Sequence, residues 1–507
     1  MSERGAVAVV GAGTMGRGIA QVAAAAGYRV LLYDPVPEAI QAALDRIRGS
    51  LSRAAERGRL AEPVAAVLAR VEPRSGLEEL AEAPLAVEAV PERLELKQEV
   101  FRTLAERNRG MLLATNTSTL PVTAIARPVP GPERVVGLHF FNPPTRMPLV
   151  EVVPGLFTSE ATVDAALAFA RSLGKEPVVV RDTPGFLVNR VARPFYGEAL
   201  VLAGDGVPFE TVDRVLRGLG FPMGPFELMD LIGLDVNLAA TRSVWEQSFF
   251  ADRYRPHRLQ VERVTAGWLG QKTGRGFYPY PRPAPPSQAA PVPLARRAHL
   301  VGEGPVARAL AARLAPVPAE EAEAIVDARV ALDRKGYPPE APPGRPVYTL
   351  IWGHSASTAR PRYPQAGEVV GFSLVPPLED GSPVELAAPE ERSVPPEAPG
   401  FFAALGLSPV VLPDQPGGVG FRILAMLINE AYSALREGVA DAATLDRAME
   451  LGTRYPRGPL AWAAGLGLPY LLAGLKGLFS ELGEDRYRPD PLLVRRAAVG
   501  AFGGEGV

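Results

Sequence analysis

Cysteine is absent from all 507 residues, which excludes disulfides, thiolate nucleophiles and cysteine-ligated metals together. Lysine is scarce, with five against 49 arginines, and there are only six asparagines and four histidines. Where rare types survive is therefore informative. Asn116, Asn142, Asn189, Lys97 and Lys272 all fall in motifs discussed below. No charge of one sign dominates, because the net charge is −2. Neither a nucleic-acid nor an anionic-membrane partner is expected. Long apolar runs are also missing. The best membrane candidate, 460–475, is too short and carries Gly465, Gly467 and Pro469, so it reads as a buried helical hairpin. The chain opens MSERG and runs straight into an apolar strand, with no signal peptide in view. A cytoplasmic setting is expected, and no metal.

What is present is ample core, with 47% apolar and 22% charged residues, and a length that suggests three to four domains. The chain also repeats itself. Residues 135–151 (VVGLHFFNPPTRMPLVE) recur at 369–385 (VVGFSLVPPLEDGSPVE), with Val, Val, Gly, Pro, Val and Glu in register. Residues 172–185 match 404–417 at eight of fourteen positions, and the two offsets are 234 and 232. This is an internal duplication. It separates what the architecture needs from what chemistry needs. The clearest difference is that His139 becomes Ser373.

Residues 6–10 form an apolar strand ending in Gly11-Ala-Gly13-Thr14-Met15-Gly16. A small-residue helix follows, then a strand over 28–33 ending in Asp34. This is a βαβ unit. Further alternation of strands and helices to about 181 predicts a doubly wound, Rossmann-like sheet. From 186 to 268 the pattern is helical. Residues 279–293 hold seven prolines in fifteen, a stiff linker. The expected organisation is α/β plus all-α. A nucleotide-binding domain (1–183) and a helical domain (184–280) are followed by a linker (281–296), a degenerate Rossmann-like repeat (297–413) and a second helical domain (414–507).

In this context Gly11 makes the tight turn, Gly13 admits a pyrophosphate, and Gly16 permits close helix–strand packing. Asp34, 18 residues after Gly16, is placed to accept a ribose diol and repel a 2′-phosphate, favouring NAD over NADP. His139 should lie near the carboxyl edge of the sheet, where ligands bind. Glu151 can meet it if the proline-rich turn folds back. Such a carboxylate fixes the imidazole tautomer and stabilises the imidazolium. A histidine in an apolar strand is more often a satisfied core residue; the glycine loop and its loss in the copy weigh against that here. Retention of Glu385 warns that the glutamate is also structural. Asn116-Thr-Ser118 follows a strand and offers polar groups at its carboxyl end, and Asn189 becomes Phe421 in the copy. In the second half Gly302 and Gly304 persist, Ala307 replaces the third glycine, and no YDP-like acidic signature follows at the expected distance.

The motifs GxGxMG, YDP, NTSTL, GLHFFNP, DTPGFLVNR and KTGRGFY resemble those of the 3-hydroxyacyl-CoA dehydrogenases of fatty-acid β-oxidation, continuously over 6–280 and in decayed form beyond. The duplicated helical domain resembles the bacterial dehydrogenases of phenylacetate breakdown. The resemblance implies NAD as cofactor and an acyl-CoA substrate. It implies His139 as base, Glu151 as its partner, and Ser118 and Asn189 as substrate-positioning groups. It also implies dinucleotide contacts from Gly11, Gly13, Thr14, Met15, Gly16, Asp34, Glu92, Lys97, Asn116, Asn142 and Lys272, with Ser50 and Arg57 on an arm that meets CoA. Two alternatives stand: another hydroxy-acid dehydrogenase on the same architecture, or a non-enzymatic NAD-binding regulator. The second half is expected to be silent and to form a pseudo-dimer with the first within one chain, with a further homodimer possible.

Overall fold

The computed structural model describes residues 4–283, 291–330 and 341–502. Residues 284–290 of the proline-rich linker lie outside these. The chain divides into two compact units, 1–190 with 438–453, and 191–437 with 454–507.

The first unit is built on a sheet of eight strands: β1 (Arg4–Val10), β2 (Tyr28–Tyr33), β3 (Val71–Arg74), β4 (Leu85–Glu88), β5 (Leu112–Thr115), β6 (Val135–Phe140), β7 (Leu149–Val153) and β8 (Glu176–Val179). Val7, Ala8, Val9 and Val10 are all buried. A strand covered on both faces reads as such a continuous apolar run, without alternation. The order is β3-β2-β1-β4-β5-β6-β7-β8. All neighbours are parallel except β6 and β7. The strand order reverses between β1 and β4, which opens a crevice at their carboxyl ends. The helix Thr14–Ala25 packs through Gly16, Gly18, Ile19, Ala20, Ala23 and Ala24. The helix Pro37–Glu56 buries Ile40, Ala43, Ile47 and Leu51, one face at helical spacing. Each large apolar side chain so buried contributes about 1.5–3 kcal/mol.

The helix Ala442–Thr453, from the second helical repeat, also belongs to this unit. Gly452 lies so close to β7 that a Cβ there would sit 2.8 Å from Leu149 Cδ2. Arg447 grips Glu176 with two bonds of 2.6 and 2.9 Å.

The second unit carries a six-stranded sheet: β9 (Ala298–Val301), β10 (Ala324–Asp327), β11 (Val347–Leu350), β12 (Val369–Ser373), β13 (Pro383–Ala387) and β14 (Ser408–Val411). The order is β14-β13-β12-β11-β10-β9, and β12 and β13 are again the antiparallel pair. Among the described residues there are no counterparts of β2 and β3. Residues 11–84 separate β1 from β4, whereas only 302–323 separate β9 from β10. The duplication therefore lost its ribose-side strand, which explains why no acidic residue stands where Asp34 would be.

Helices of both repeats meet in this unit. Arg193–Gly204 packs on Gly420–Arg436. Glu198 accepts from Tyr487 Oη at 2.7 Å and pairs with Arg422. Glu430 accepts from Tyr254 Oη at 2.6 Å and from Arg253 at 3.2 Å. The helix Phe209–Gly218 lies on β13, where a Cβ on Gly218 would come 2.9 Å from Pro383 Cγ. The 460–475 stretch falls in two helices, Pro459–Leu466 and Leu468–Leu482, bent by 98°. Gly467 makes the bend with φ +76. Among the described residues no single helix is long and apolar enough to cross a membrane.

Candidate active site

The β1–helix turn fits a dinucleotide. Gly11 has φ +103, and a Cβ there would meet Ala89 O at 2.7 Å. A Cβ on Gly16 would collide with Gly11 O at 1.8 Å. Gly13 and Thr14 are exposed, Met15 is half-buried, and the first helical turn carries no acidic residue. An open helix N-terminus of this kind suits a diphosphate. At the end of β2, Asp34 accepts from Ala12 N at 2.8 Å and Val36 N at 3.0 Å, so its carboxylate is fixed beside the turn.

The antiparallel register sets His139 directly opposite Glu151. His139 Nδ1 and Glu151 Oε2 are 2.7 Å apart, and Glu151 is fully buried. The other carboxylate oxygen accepts from Leu187 N at 3.2 Å and Val188 N at 2.9 Å. One glutamate thus ties the imidazole to the start of the short helix Val188–Val191, which carries a half-buried Asn189. Phe141 and Phe186 flank the imidazole, with ring centroids at 4.6 and 5.8 Å.

Ser118 is half-buried on the loop after β5. Asn116 Oδ1 accepts from Phe140 N at 2.9 Å, tying this loop to the strand of His139. Glu92 Oε1 accepts from Thr117 Oγ1, Ser118 N, Thr119 N and Thr119 Oγ1 at 2.6 to 3.0 Å. Burial works against the Glu92 charge, but Lys97 and these donors outweigh it and hold the carboxyl below its usual range. Lys97 is itself buried between Glu88 at 2.8 Å and Glu92 at 3.2 Å. Thr115 Oγ1 donates to Glu88 at 2.8 Å. Sequence reasoning missed Glu88, Thr115, Thr117 and Thr119, as well as the two flanking phenylalanines. The available signal was a glutamate closing an otherwise apolar strand, LAVE.

Asn142 is exposed just past β6. Ser50 Oγ accepts from Gln21 Nε2 at 3.0 Å, and Arg57 is exposed at the end of the 37–56 helix. Lys272 belongs to the second unit, where it pairs with Asp235 at 2.6 Å. Among the described residues no cluster of histidine, aspartate or glutamate could hold a metal.

The matching place in the second sheet is filled. Ser373 faces Glu385 in the same register and donates to Gly417 O at 3.2 Å. Glu385 accepts from Val419 N, and from Gly420 N at 2.9 Å. Burial pushes its carboxyl up to about 7. Trp352, one turn past β11 where the first copy has Ser118, stacks on Phe421 with centroids 4.4 Å apart and planes at 11°. Tyr470 covers the glycine turn, so that a Cβ on Gly304 would lie 2.5 Å from its ring.

A nucleotide crevice beside a buried histidine–carboxylate pair defines a nicotinamide-dependent dehydrogenase. The chain matches the descriptions "3-hydroxyacyl-CoA dehydrogenase, NAD binding domain" over 6–183 and "3-hydroxyacyl-CoA dehydrogenase, C-terminal domain" over 185–280 and 417–506. It is 40% identical over 503 residues to the 3-hydroxyadipyl-CoA dehydrogenase of Escherichia coli strain K12, covering 97% of each chain. It is 45% identical to a probable 3-hydroxybutyryl-CoA dehydrogenase of Bacillus subtilis over 278 residues, which are 54% of this chain and 96% of that one. The crystal structure of 3-hydroxybutyryl-CoA dehydrogenase from Escherichia coli K12 superposes with a TM-score of 0.82 at 38% identity, covering 98% and 99% of the two chains. The chain belongs to the 3-hydroxyacyl-CoA dehydrogenase family. It is an NAD-dependent enzyme of that class, as its motifs imply.

Proposed function

We propose that His139 and Glu151 form the catalytic pair for oxidation of an L-3-hydroxyacyl-CoA to the 3-oxoacyl-CoA, with the second half silent. Bound NAD, held by the Gly11–Gly16 turn and Asp34, supplies the hydride acceptor. His139 Nε2 takes the proton of the 3-hydroxyl, and Glu151 on Nδ1 fixes the tautomer and stabilises the imidazolium. Ser118 and Asn189 orient the reacting oxygen and the thioester region. The observation that carries this reading is the 2.7 Å contact between His139 and a fully buried Glu151 whose other oxygen is already anchored. In a full-length His139→Gln variant, turnover of 3-hydroxybutyryl-CoA falls about a hundredfold or more, while NADH binding is unchanged. Near-normal turnover would sink the pair. The relatives named above act on 3-hydroxyadipyl-CoA and 3-hydroxybutyryl-CoA; a comparison of these two esters tests whether this site favours a second carboxylate.

The silent half serves as an internal partner. Support comes from the reciprocal glutamates of the second unit: Glu198 reaches Tyr487, and Glu430 reaches Tyr254, across the two repeats. Helices of 414–502 then stand to those of 184–280 as one subunit to another. Truncation near residue 295 exposes an apolar helical face and gives homodimers or aggregates. A truncated chain that stays monomeric, stable and fully active would refute the internal pairing.

A further inference from the structure

We propose that Phe186 is a positioning residue for the His139 imidazole, and that its backbone is held in a left-handed conformation to place the ring there; this rests on the reading that His139 is the base. Phe186 has φ +50. A bulky residue rarely adopts this conformation, because its side chain crowds the backbone where glycine has nothing to crowd. The other described residues besides glycine with positive φ are Phe249, Phe250, Glu391 and Arg454, and all of them are exposed. Phe186 alone is buried, at 1% exposure. Its N–H donates to Thr183 O at 2.8 Å and closes a turn. The turn delivers the next two N–H groups, of Leu187 and Val188, to Glu151.

The second copy shows what this turn needs. Gly418 has φ +64 and donates to Gln415 O at 3.1 Å, and Val419 and Gly420 follow onto Glu385. Glycine thus closes the same turn and serves the same glutamate without strain. A Cβ on Gly418 would lie 2.5 Å from Glu385 Oε2 and 2.9 Å from Ser373 Cβ, so the copy has no room for a side chain there. The fold requires the left-handed turn and does not require the phenylalanine. Three side chains differ together between the copies: His139 becomes Ser373, Phe141 becomes Val375 and Phe186 becomes Gly418. What is lost is the imidazole and the two rings beside it, with centroids at 4.6 and 5.8 Å, while the glutamate stays. A hydrogen bond at Nδ1 leaves an imidazole free to swing about that contact. Rings packed against it block the swing and keep Nε2 aimed in one direction, which a positioned base needs. Backbone strain kept at one copy and relieved in the other marks the place where the side chain has a use.

The test is Phe186→Gly in the full-length chain, with Phe186→Ala, Phe186→Leu and His139→Gln beside it. Turnover of 3-hydroxybutyryl-CoA is expressed per NADH site counted by fluorescence titration, so that unfolded chain drops out of the comparison. Phe186→Gly is expected to lower kcat per site about tenfold to a hundredfold, the scale of a misplaced reacting group. The KM for the ester and the NADH dissociation constant should stay unchanged. Wild-type kcat in Phe186→Gly would overturn the proposal, as would a rise in both constants in step with the fall in kcat. Should the glycine variant fail to fold, Phe186→Leu decides by the same split at smaller size, and wild-type kcat there refutes the proposal. The strain has its own readout. Glycine and alanine both remove the ring, but only glycine relieves the backbone, so Phe186→Gly should melt above Phe186→Ala, the reverse of the usual order. Alanine at or above glycine would overturn the strained conformation. Wild-type turnover in His139→Gln would instead sink the underlying pair, and the proposal with it.

Discussion

The hairpins β6–β7 and β12–β13 share register, burial and a glutamate, yet only the first carries an imidazole. Side by side they separate two jobs of one residue. In both copies the glutamate accepts the backbone N–H groups that begin the helical domain, Leu187 and Val188 in one and Val419 and Gly420 in the other. That job is structural and does not depend on the histidine. Only Glu151 also spends an oxygen on a histidine. The positions of Ser118 and Asn189 tell the same story from the other side. Their counterparts Trp352 and Phe421 stack on each other and fill the space polar groups would need for a ligand.

The largest effect that tests this contrast is on turnover. His139→Gln removes about a hundredfold or more, and Ser373→His restores none of it, because β2 and the polar positions of the second copy are gone. The glycine turn itself persists but is covered by Tyr470. Measurable turnover in the double variant would break the comparison.

Next in size is acid stability, which should reside in the second half. His354 is buried, neither ring nitrogen makes a hydrogen bond, and burial, with Arg362 adding and Asp327 opposing, pushes it down to about 4. The first copy has Leu120 at this place. A depressed histidine leaves the folded state neutral while the unfolded state takes a proton. Stability is then complete above about pH 6.5 and is lost as pH falls toward 4, by on the order of 3 kcal/mol. His354→Leu should abolish that loss, read as the difference in denaturant unfolding between the two proteins across pH 4 to 7. The raised Glu385 acts in the opposite sense over part of this range, since its stability contribution falls as pH rises toward 7; it is common to both proteins and leaves the difference unchanged. Parallel pH profiles would show that His354 is not the titrating group.

Glu385→Ala isolates the structural job. Two buried N–H groups lose their acceptor, at a cost of about 2 kcal/mol, while kcat per folded molecule is unchanged. A drop in kcat comparable to that of His139→Gln would mean that the second copy is coupled to the chemistry.

The smallest effect is a count. Titration should find one NAD site per chain, since Tyr470 lies over Gly304 and the ribose-side strand is missing. A stoichiometry near two would reopen the second glycine turn.

Much of this was legible before any fold was known. Short-range sequence determines short-range geometry, so Gly11, Gly16 and Asp34 could be read from steric need and spacing, and the His139–Glu151 pairing from a turn that had to fold back. The duplication itself picked out candidate site residues by difference. What the tertiary structure decided are contacts between residues far apart in the chain, where sequence carries no local signal. Lys97 could be read as a cofactor contact, but its burial between Glu88 and Glu92 could not. Tyr470 and Gly304, or Trp352 and Phe421, meet only because a helical domain lies against its sheet. The crossing of the two repeats also lay beyond the sequence. The helix Ala442–Thr453 packs on the first sheet and Phe209–Gly218 on the second, because each apolar face takes the partner surface that buries it, whichever half of the chain supplies that surface.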